Sequence, residues 1–255
     1  MAIPRLVGMV HLGALPGSPG FTGDLDEVIQ AAMTDAVAIA AAGFDGVMVE
    51  NFGDAPFFAD DAPKVTVASL TSAVNAVYEA SRLPVGVNVL RNDGLGALAV
   101  AAATPARFIR VNVLSGTMYT DQGPIIGNAA EIARMRAAVC PDVEIMADVF
   151  VKHATPPAGL SLVDATHDLV ERAGADAVVV SGVGTGSPAD LADLATVADA
   201  SHLPVFLGSG VTIDNVREML EIADGAIVGT SIKVDGVATN PVDPAAAAGF
   251  VAAAG

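Results

Sequence analysis

Short apolar runs recur along this chain, each followed by an alanine-rich amphipathic stretch. Eight runs read as strands: 5–12 (RLVGMVHL), 45–51, 84–90 (PVGVNVL), 108–114 (FIRVNVL), 144–150 (EIMADVF), 176–182 (DAVVVSG), 204–208 and 224–229. They are rich in Val and Ile and nearly continuous in apolar character, as expected of parallel strands covered on both faces. Helical segments fill the intervals. The stretch 25–43 is one, and 161–174 is another, with Leu162, Val163, Leu169 and Val170 expected along one face and Gly174 as its stop. Glycine closes helices before strands in AAGFDG, RAGADA and IADGAI, and proline does so in SRLPV and SHLPV. Eight strands alternating with eight helices in 255 residues predict a (β/α)8 TIM barrel, one α/β domain spanning 1–255. A doubly wound open sheet is the competing architecture, but it would place its glycine-rich turn after the first strand. Here the glycine-rich turns come late.

Two βα connections, 54–65 and 115–128, exceed the usual length of about 2 to 6 residues. Such length at the catalytic end of a barrel predicts lids or interface arms. Phe57 and Phe58 are candidates to cover a substrate or to fill a neighbouring subunit, and a homo-oligomer is expected.

Composition narrows the functional classes. No apolar run approaches the roughly 18 residues that suggest a membrane span, and the N-terminus lacks the basic start and cleavage site of a secretory signal. Cys140 is the one cysteine, so an intrachain disulfide and a thiolate zinc cluster are both excluded. A cytoplasmic location is expected. The formal charge is −17, with Lys64, Lys152 and Lys233 the three lysines. Binding to nucleic acid or directly to an anionic membrane relies on basic residues, so neither is an expected partner.

The late turns carry the first chemical signal. The seventh run ends in Gly208-Ser209-Gly210 and the eighth in Gly229-Thr230-Ser231. In a barrel these loops sit side by side at the C-terminal face, where backbone N–H groups often hold a phosphate. The sixth run ends in another small-residue turn that begins Ser181-Gly182 and continues to Ser187, and Thr212 is placed to cap the following helix. A small phosphorylated substrate is the expected partner, and nothing in the sequence asks for a cofactor.

Polar residues at the strand ends supply candidate catalytic groups: His11, Glu50, Asn88, Asn112, Asp148, Lys152 and His153. Glu50, beside an apolar barrel, suits a general acid/base, because desolvation favours its protonated form. Asp148 is similar, with Lys152 or His153 expected nearby to keep it ionised. Lys152 has three readings: charge pairing with Asp148, contact with a substrate anion, or a Schiff base with a carbonyl. Asn88 and Asn112 either orient a substrate or close a hydrogen-bonded rim. His11, His153 and Asp148 are conceivable metal ligands, but no H-x-H or H-E-x-x-H spacing supports that, and no metal is expected.

The stretches MVHLGALPGSPG, GFDGVMVENFGDAPF, GVNVLRND, FIRVNV, TDQGPIIG, ADVFVKHA and VVVSGVGTGSP, with GSGVTIDNV and AIVGTSIK near the end, resemble the BtpA/SgcQ family over essentially the whole chain. The resemblance implies a barrel of the ribulose-phosphate-binding type. It also implies two different roles, an assembly factor for photosystem I and a metabolic enzyme acting on sugars or nucleotides. Phosphoribosylanthranilate isomerases are similar in the late turns but use a Cys near the end of strand one as base; this chain has His11 there. On the enzyme reading, Glu50 and Asp148 form the acid/base pair, Lys152 is the electrophile or imine former, Asn88 and Asn112 orient the substrate, and the reaction is an isomerisation, epimerisation or aldol cleavage next to a carbonyl.

Overall fold

The computed structural model describes residues 3–182 and 190–255. Eight parallel strands close into a barrel: β1 (Leu6–His11), β2 (Gly46–Glu50), β3 (Val85–Asn88), β4 (Phe108–Val111), β5 (Glu144–Asp148), β6 (Ala177–Val180), β7 (Val205–Leu207) and β8 (Gly225–Val228). All eight expected runs form strands, each a little shorter than its apolar run. Neighbours pair in sequence order, and β8 closes onto β1 through Leu6↔Ala226 and Val7↔Ile227. The helices are α1 (Leu25–Ala42), α2 (Lys64–Ser81), α3 (Gly94–Ala102), α4 (Ala129–Val139), α5 (Leu162–His167), α6 (Leu191–Ala200), α7 (Val216–Met219) and α8 (Pro244–Ala254). Among the described residues no helix is long and apolar enough to cross a membrane.

Strand parity sorts the apolar residues into two cores. Val7, Met9, Met48, Phe108, Met146, Val179, Phe206 and Ile227 face inward and fill the barrel as a plug. The opposite faces, with Val10, Val47, Val87, Ile109 and Val178 among them, pack against the helices in the larger outer core. Two rings, Phe108 and Phe206, supply much of the plug's volume, and the neighbouring strands make room for them. A Cβ at Gly86 would overlap the Phe108 ring, and one at Gly225 would overlap Phe206.

Two expectations change. The face of 161–174 was read as continuous α-helix, but α5 gives way to a π-helical turn over Asp168–Ala173 before Gly174 (φ 76°). The buried residues of this segment are Ala165, Thr166, Leu169 and Ala173, and Val163 is exposed. The long connection 115–128 is a β-hairpin, Thr117–Thr120 paired with Gly123–Ile126, and Ala154–Thr155 adds a third antiparallel strand. Met118 and Ile125 on its inner face pack with Val113 and Val151, which fixes the hairpin at the mouth of the barrel.

The connection after β8 is pinned differently. Asp35, in the middle of α1, accepts from Lys233 Nζ and, at 2.8 Å, from Val242 N. This buried ion pair holds the 233–242 loop across the end of β1. Replacing Gly86 by Ala is expected to destabilise the protein by about 1–3 kcal/mol through overpacking. Adding Phe108→Leu should recover part of that loss, and urea unfolding midpoints of the single and double variants measure both effects.

Candidate active site

Each barrel strand offers one last inward position at the C-terminal rim. In chain order these are His11, Glu50, Asn88, Arg110, Asp148, Ser181, Gly208 and Gly229. His11, Glu50, Asn88 and Arg110 are direct register partners across β1 to β4. The first six positions carry polar side chains and the last two carry none. That asymmetry opens a cavity of about 130 Å³ on the β7–β8 side, lined by His11, Glu50, Arg110 and Lys152 and by the 208–212 and 229–231 turns.

Arg110 anchors the ring. Its side chain is buried and grips Asp148 with two parallel bonds, Nε to Oδ2 at 2.9 Å and Nη2 to Oδ1 at 2.7 Å. Burial alone would lower the Arg110 pKa; the Asp148 charge and its hydrogen bonds overcome this and leave it raised. Asp148 also accepts from Ser181 Oγ at 3.0 Å and from Asn112 Nδ2 at 3.4 Å. The expected pairing of Asp148 with Lys152 or His153 is thereby corrected: its ion-pair partner is Arg110. Four donors occupy the carboxylate, which makes Asp148 a fixed acceptor. Asn88 Nδ2 extends the chain, donating to Arg110 O and to Asn112 Oδ1, each at 2.9 Å. The two asparagines therefore act first as rim closers. Asn88 Oδ1 remains buried without a donor.

His11 and Glu50 form the second pair. The His11 ring stacks on Phe52 with centroids 4.5 Å apart, and Nδ1 lies 2.8 Å from the Ala238 carbonyl. A carbonyl only accepts, so Nδ1 carries the proton and neutral His11 presents the Nε2 lone pair. Nε2 lies 3.7 Å from Glu50 Oε1, and Glu50 is 4% exposed. Burial lowers the His11 pKa despite the opposing pull of Glu50. The two groups face each other at a separation longer than a hydrogen bond.

The glycine-rich turns have reasons internal to the protein. A Cβ at Gly208 would lie 2.6 Å from Ser181 Oγ and 2.9 Å from Arg110 Nη2; one at Gly229 would lie 3.1 Å from His11 Cε1. Gly208 makes way for the Arg110 cluster and Gly229 for the His11 ring, a packing reason for these glycines beside the expected one. Thr212 does not cap a helix either, because α7 starts only at Val216 and Thr212 N donates to Asn215 Oδ1 at 2.7 Å. The turns are tied to one another: Gly182 N donates to Ser209 Oγ at 3.0 Å, and Ser231 Oγ donates to Val211 O at 2.6 Å. Yet among the described residues the backbone N–H groups of Ser209, Gly210, Thr230 and Ser231 meet no protein acceptor. These four residues line one wall of the cavity. The rest of the turn after β6, residues 183–187, lies outside the described residues.

Lys152 comes from the loop beyond β5, which ends at Asp148 rather than carrying Lys152 on a strand. Burial lowers its pKa, Arg110 and Arg91 add to this, and Glu50 and Asp148 oppose it. Lys152 also lines an outer chamber of about 370 Å³ with Phe57, Arg91, Asn112, Gln122 and His153. Glu50, Arg110 and Lys152 belong to both spaces, so the two form one path. Phe57 thus covers the site, whereas Phe58 is 60% exposed. His11, His153 and Asp148 do not converge: among the described residues no three His, Cys, Asp or Glu are grouped to hold a metal ion.

Arg110 and Arg91 are the site residues that the sequence reading did not select. Arg110 was legible in principle, since it shares strand parity with Phe108 and Asn112 and lies between β-branched neighbours. Arg91 follows the end of β3 and offered no such signal. Asp148→Asn should cost about 3–5 kcal/mol by leaving Arg110 buried with half its partner, measured by chemical denaturation. His11 supplies a pH test. Its folded pKa lies below the ordinary 6.5, so its contribution to stability is complete above that value and is lost as pH falls below it toward the folded pKa. The wild-type unfolding midpoint should drop between about pH 7 and pH 5 more than that of His11→Gln.

The BtpA family model matches residues 3–255. An uncharacterized protein of Thermococcus kodakarensis is 53% identical over 93% of this chain and 90% of its own length. The Photosystem I biogenesis protein BtpA of Synechocystis is 45% identical over 97% of this chain and 87% of its own. Among solved structures, a 3-hexulose-6-phosphate synthase superposes with TM-score 0.62 at 17% identity, over 98% of this chain and all of that one. N-(5'-phosphoribosyl)anthranilate isomerase from Pyrococcus furiosus gives 0.60 at 15% identity, over 99% and 98%. The distant structures share the barrel, and the sequence match across nearly every described residue is the more specific finding: the chain belongs to the BtpA family.

Proposed function

We propose that this barrel is an enzyme acting on a phosphorylated sugar or phosphoribosyl compound by moving a proton next to a carbonyl. The observation that carries the reading is one cavity with unpaired donors along one wall and a buried carboxylate–imidazole pair facing them. In this reading the phosphate sits against the amides of Ser209, Gly210, Thr230 and Ser231, and the Ser209 hydroxyl has its proton left to donate. Glu50 removes the proton from the carbon beside the carbonyl. The ammonium of Lys152 and the edge of the Arg110 guanidinium stabilise the oxyanion that forms. His11 Nε2 takes the proton from Glu50 and returns it, with Nδ1 held on Ala238 so that the ring keeps its tautomer. Asp148 positions Arg110 and does not itself move a proton. The names of the structural neighbours lend support, since both the synthase and the isomerase are named for phosphorylated compounds.

A second reading, an assembly factor, draws on the name of the Synechocystis relative and on an exposed apolar face. Tyr119, Pro124 and Ile126 lie on the outer side of the hairpin, with Ile126 68% exposed. The intact donor wall and acid/base pair are not needed for that role, and they favour the enzyme. Glu50→Gln is expected to lower turnover of the active member of a pentose and hexose phosphate panel about 10²–10⁴-fold, while stabilisation of the protein by inorganic phosphate in thermal unfolding persists. Unchanged turnover in Glu50→Gln would remove Glu50 from the mechanism. Absence of both turnover and phosphate stabilisation, together with capture of a membrane complex that Ile126→Ser abolishes, would favour the assembly role.

A further inference from the structure

Two cations face the outer chamber without a carboxylate of their own. Arg91 is 5% exposed. Its Nη2 donates to the Lys152 carbonyl at 2.6 Å; among the described residues its other guanidinium N–H groups meet no acceptor, and no carboxylate lies within ion-pairing distance. Lys152 Nζ likewise has no hydrogen-bond or ion-pair partner there. The charges that act on Arg91 from further away are Asp148, Glu50 and Asp121, opposed by Arg110. Asp148 is already gripped by Arg110; Glu50 and the exposed Asp121 also line the chamber, but among the described residues neither forms an ion pair with Arg91 or Lys152.

A buried cation without its counter-charge is costly, and burial lowers the pKa of both groups accordingly. Scarcity of acids cannot be the reason in a chain with 29 of them. The chamber also holds an unmatched acceptor. Gln122 lines it, and Gln122 Oε1 is buried without a donor, while its amide nitrogen is engaged by Asp121 at 2.6 Å. A planar fork with spare donors, an ammonium and a carbonyl acceptor together match an anionic oxygen group attached to a hydroxyl-bearing carbon.

We infer that the substrate is anionic at both ends: a sugar bisphosphate, or a phosphorylated sugar acid. One phosphate occupies the 208–210 and 229–231 turns, and the second anion, phosphate or carboxylate, is held by Arg91 and Lys152. The inference rests on the proposed function and adds the substrate class. Lys152 borders both spaces, so it spans the reacting carbon and the second anion. Arg91 contributes binding and orientation at the far end. Recognition of two anions at fixed separation also gives this strongly acidic protein selectivity that bulk electrostatics would oppose.

Isothermal titration of the wild-type protein with inorganic phosphate, ribose 5-phosphate, ribulose 1,5-bisphosphate and 6-phosphogluconate tests this. One of the two doubly anionic compounds should bind at least about tenfold tighter than ribose 5-phosphate, and which one does so identifies the second group. Arg91→Gln should abolish the advantage of the doubly anionic compound over ribose 5-phosphate. Arg91→Lys, which keeps the charge, should retain part of it. If the Gln variant does not fold, the wild-type ranking decides alone. Ribose 5-phosphate binding with no gain from a second anion, or a gain that survives Arg91→Gln, overturns the inference and leaves the proposed function standing. Failure of every compound, inorganic phosphate included, overturns both.

Discussion

Arg110 places a permanent positive charge inside a barrel whose lower half is sealed by Phe108, Met146 and Phe206. A guanidinium there must be neutralised and must have its donors met. Asp148 does both, and the consequences spread round the rim. Asp148 is unavailable as a proton carrier, Ser181 and Asn112 turn toward it, and Asn88 is drawn in behind Asn112. Gly208 must lack a side chain so that Arg110 can reach across. The polar side of the barrel mouth is thus one connected network, and Glu50 with His11 forms a separate pair outside it.

That division explains how one ring of eight equivalent positions supports different tasks. Strands β4 to β6 supply the rigid part. Strands β1 and β2 supply the imidazole–carboxylate pair, with the loop after β8 reaching back so that Ala238 orients the imidazole. Strands β7 and β8 supply emptiness, bounded by amides. The ion pair of Lys233 with Asp35 belongs to the same logic, because it fixes the loop that carries Ala238 against α1. Helices and barrel together hold a tautomer in place, and a proton relay depends on such fixed geometry more than on the identity of its members.

The opening to solvent is governed by two insertions with separate origins. The 54–65 connection brings Phe57 over the outer chamber. The 117–126 hairpin rests on its own small apolar cluster and sets Asp121 and Gln122 at the edge of the mouth. Arg91 and Lys152 lie beneath them, joined by a single backbone contact. The chamber is therefore assembled from four loops, and no one of them contains its chemistry.

Repetition made the barrel legible from the chain alone. Eight β-branched runs spaced by amphipathic helices have few ways to bury both faces of every strand, and parity then predicts which strand-end residues look inward. His11, Glu50, Asn88, Asp148 and the late glycines were all found that way. What pairs with what was not legible. Lys152 and His153 follow Asp148 closely in sequence, yet the partner of Asp148 is Arg110, 38 positions away. Gly208 and Gly229 read as room for a ligand, and the fold also needs their bare backbone to clear Arg110 and His11. The physical reason is the same in each case: local pattern decides which way a side chain points, whereas only closure of the ring decides what it meets there.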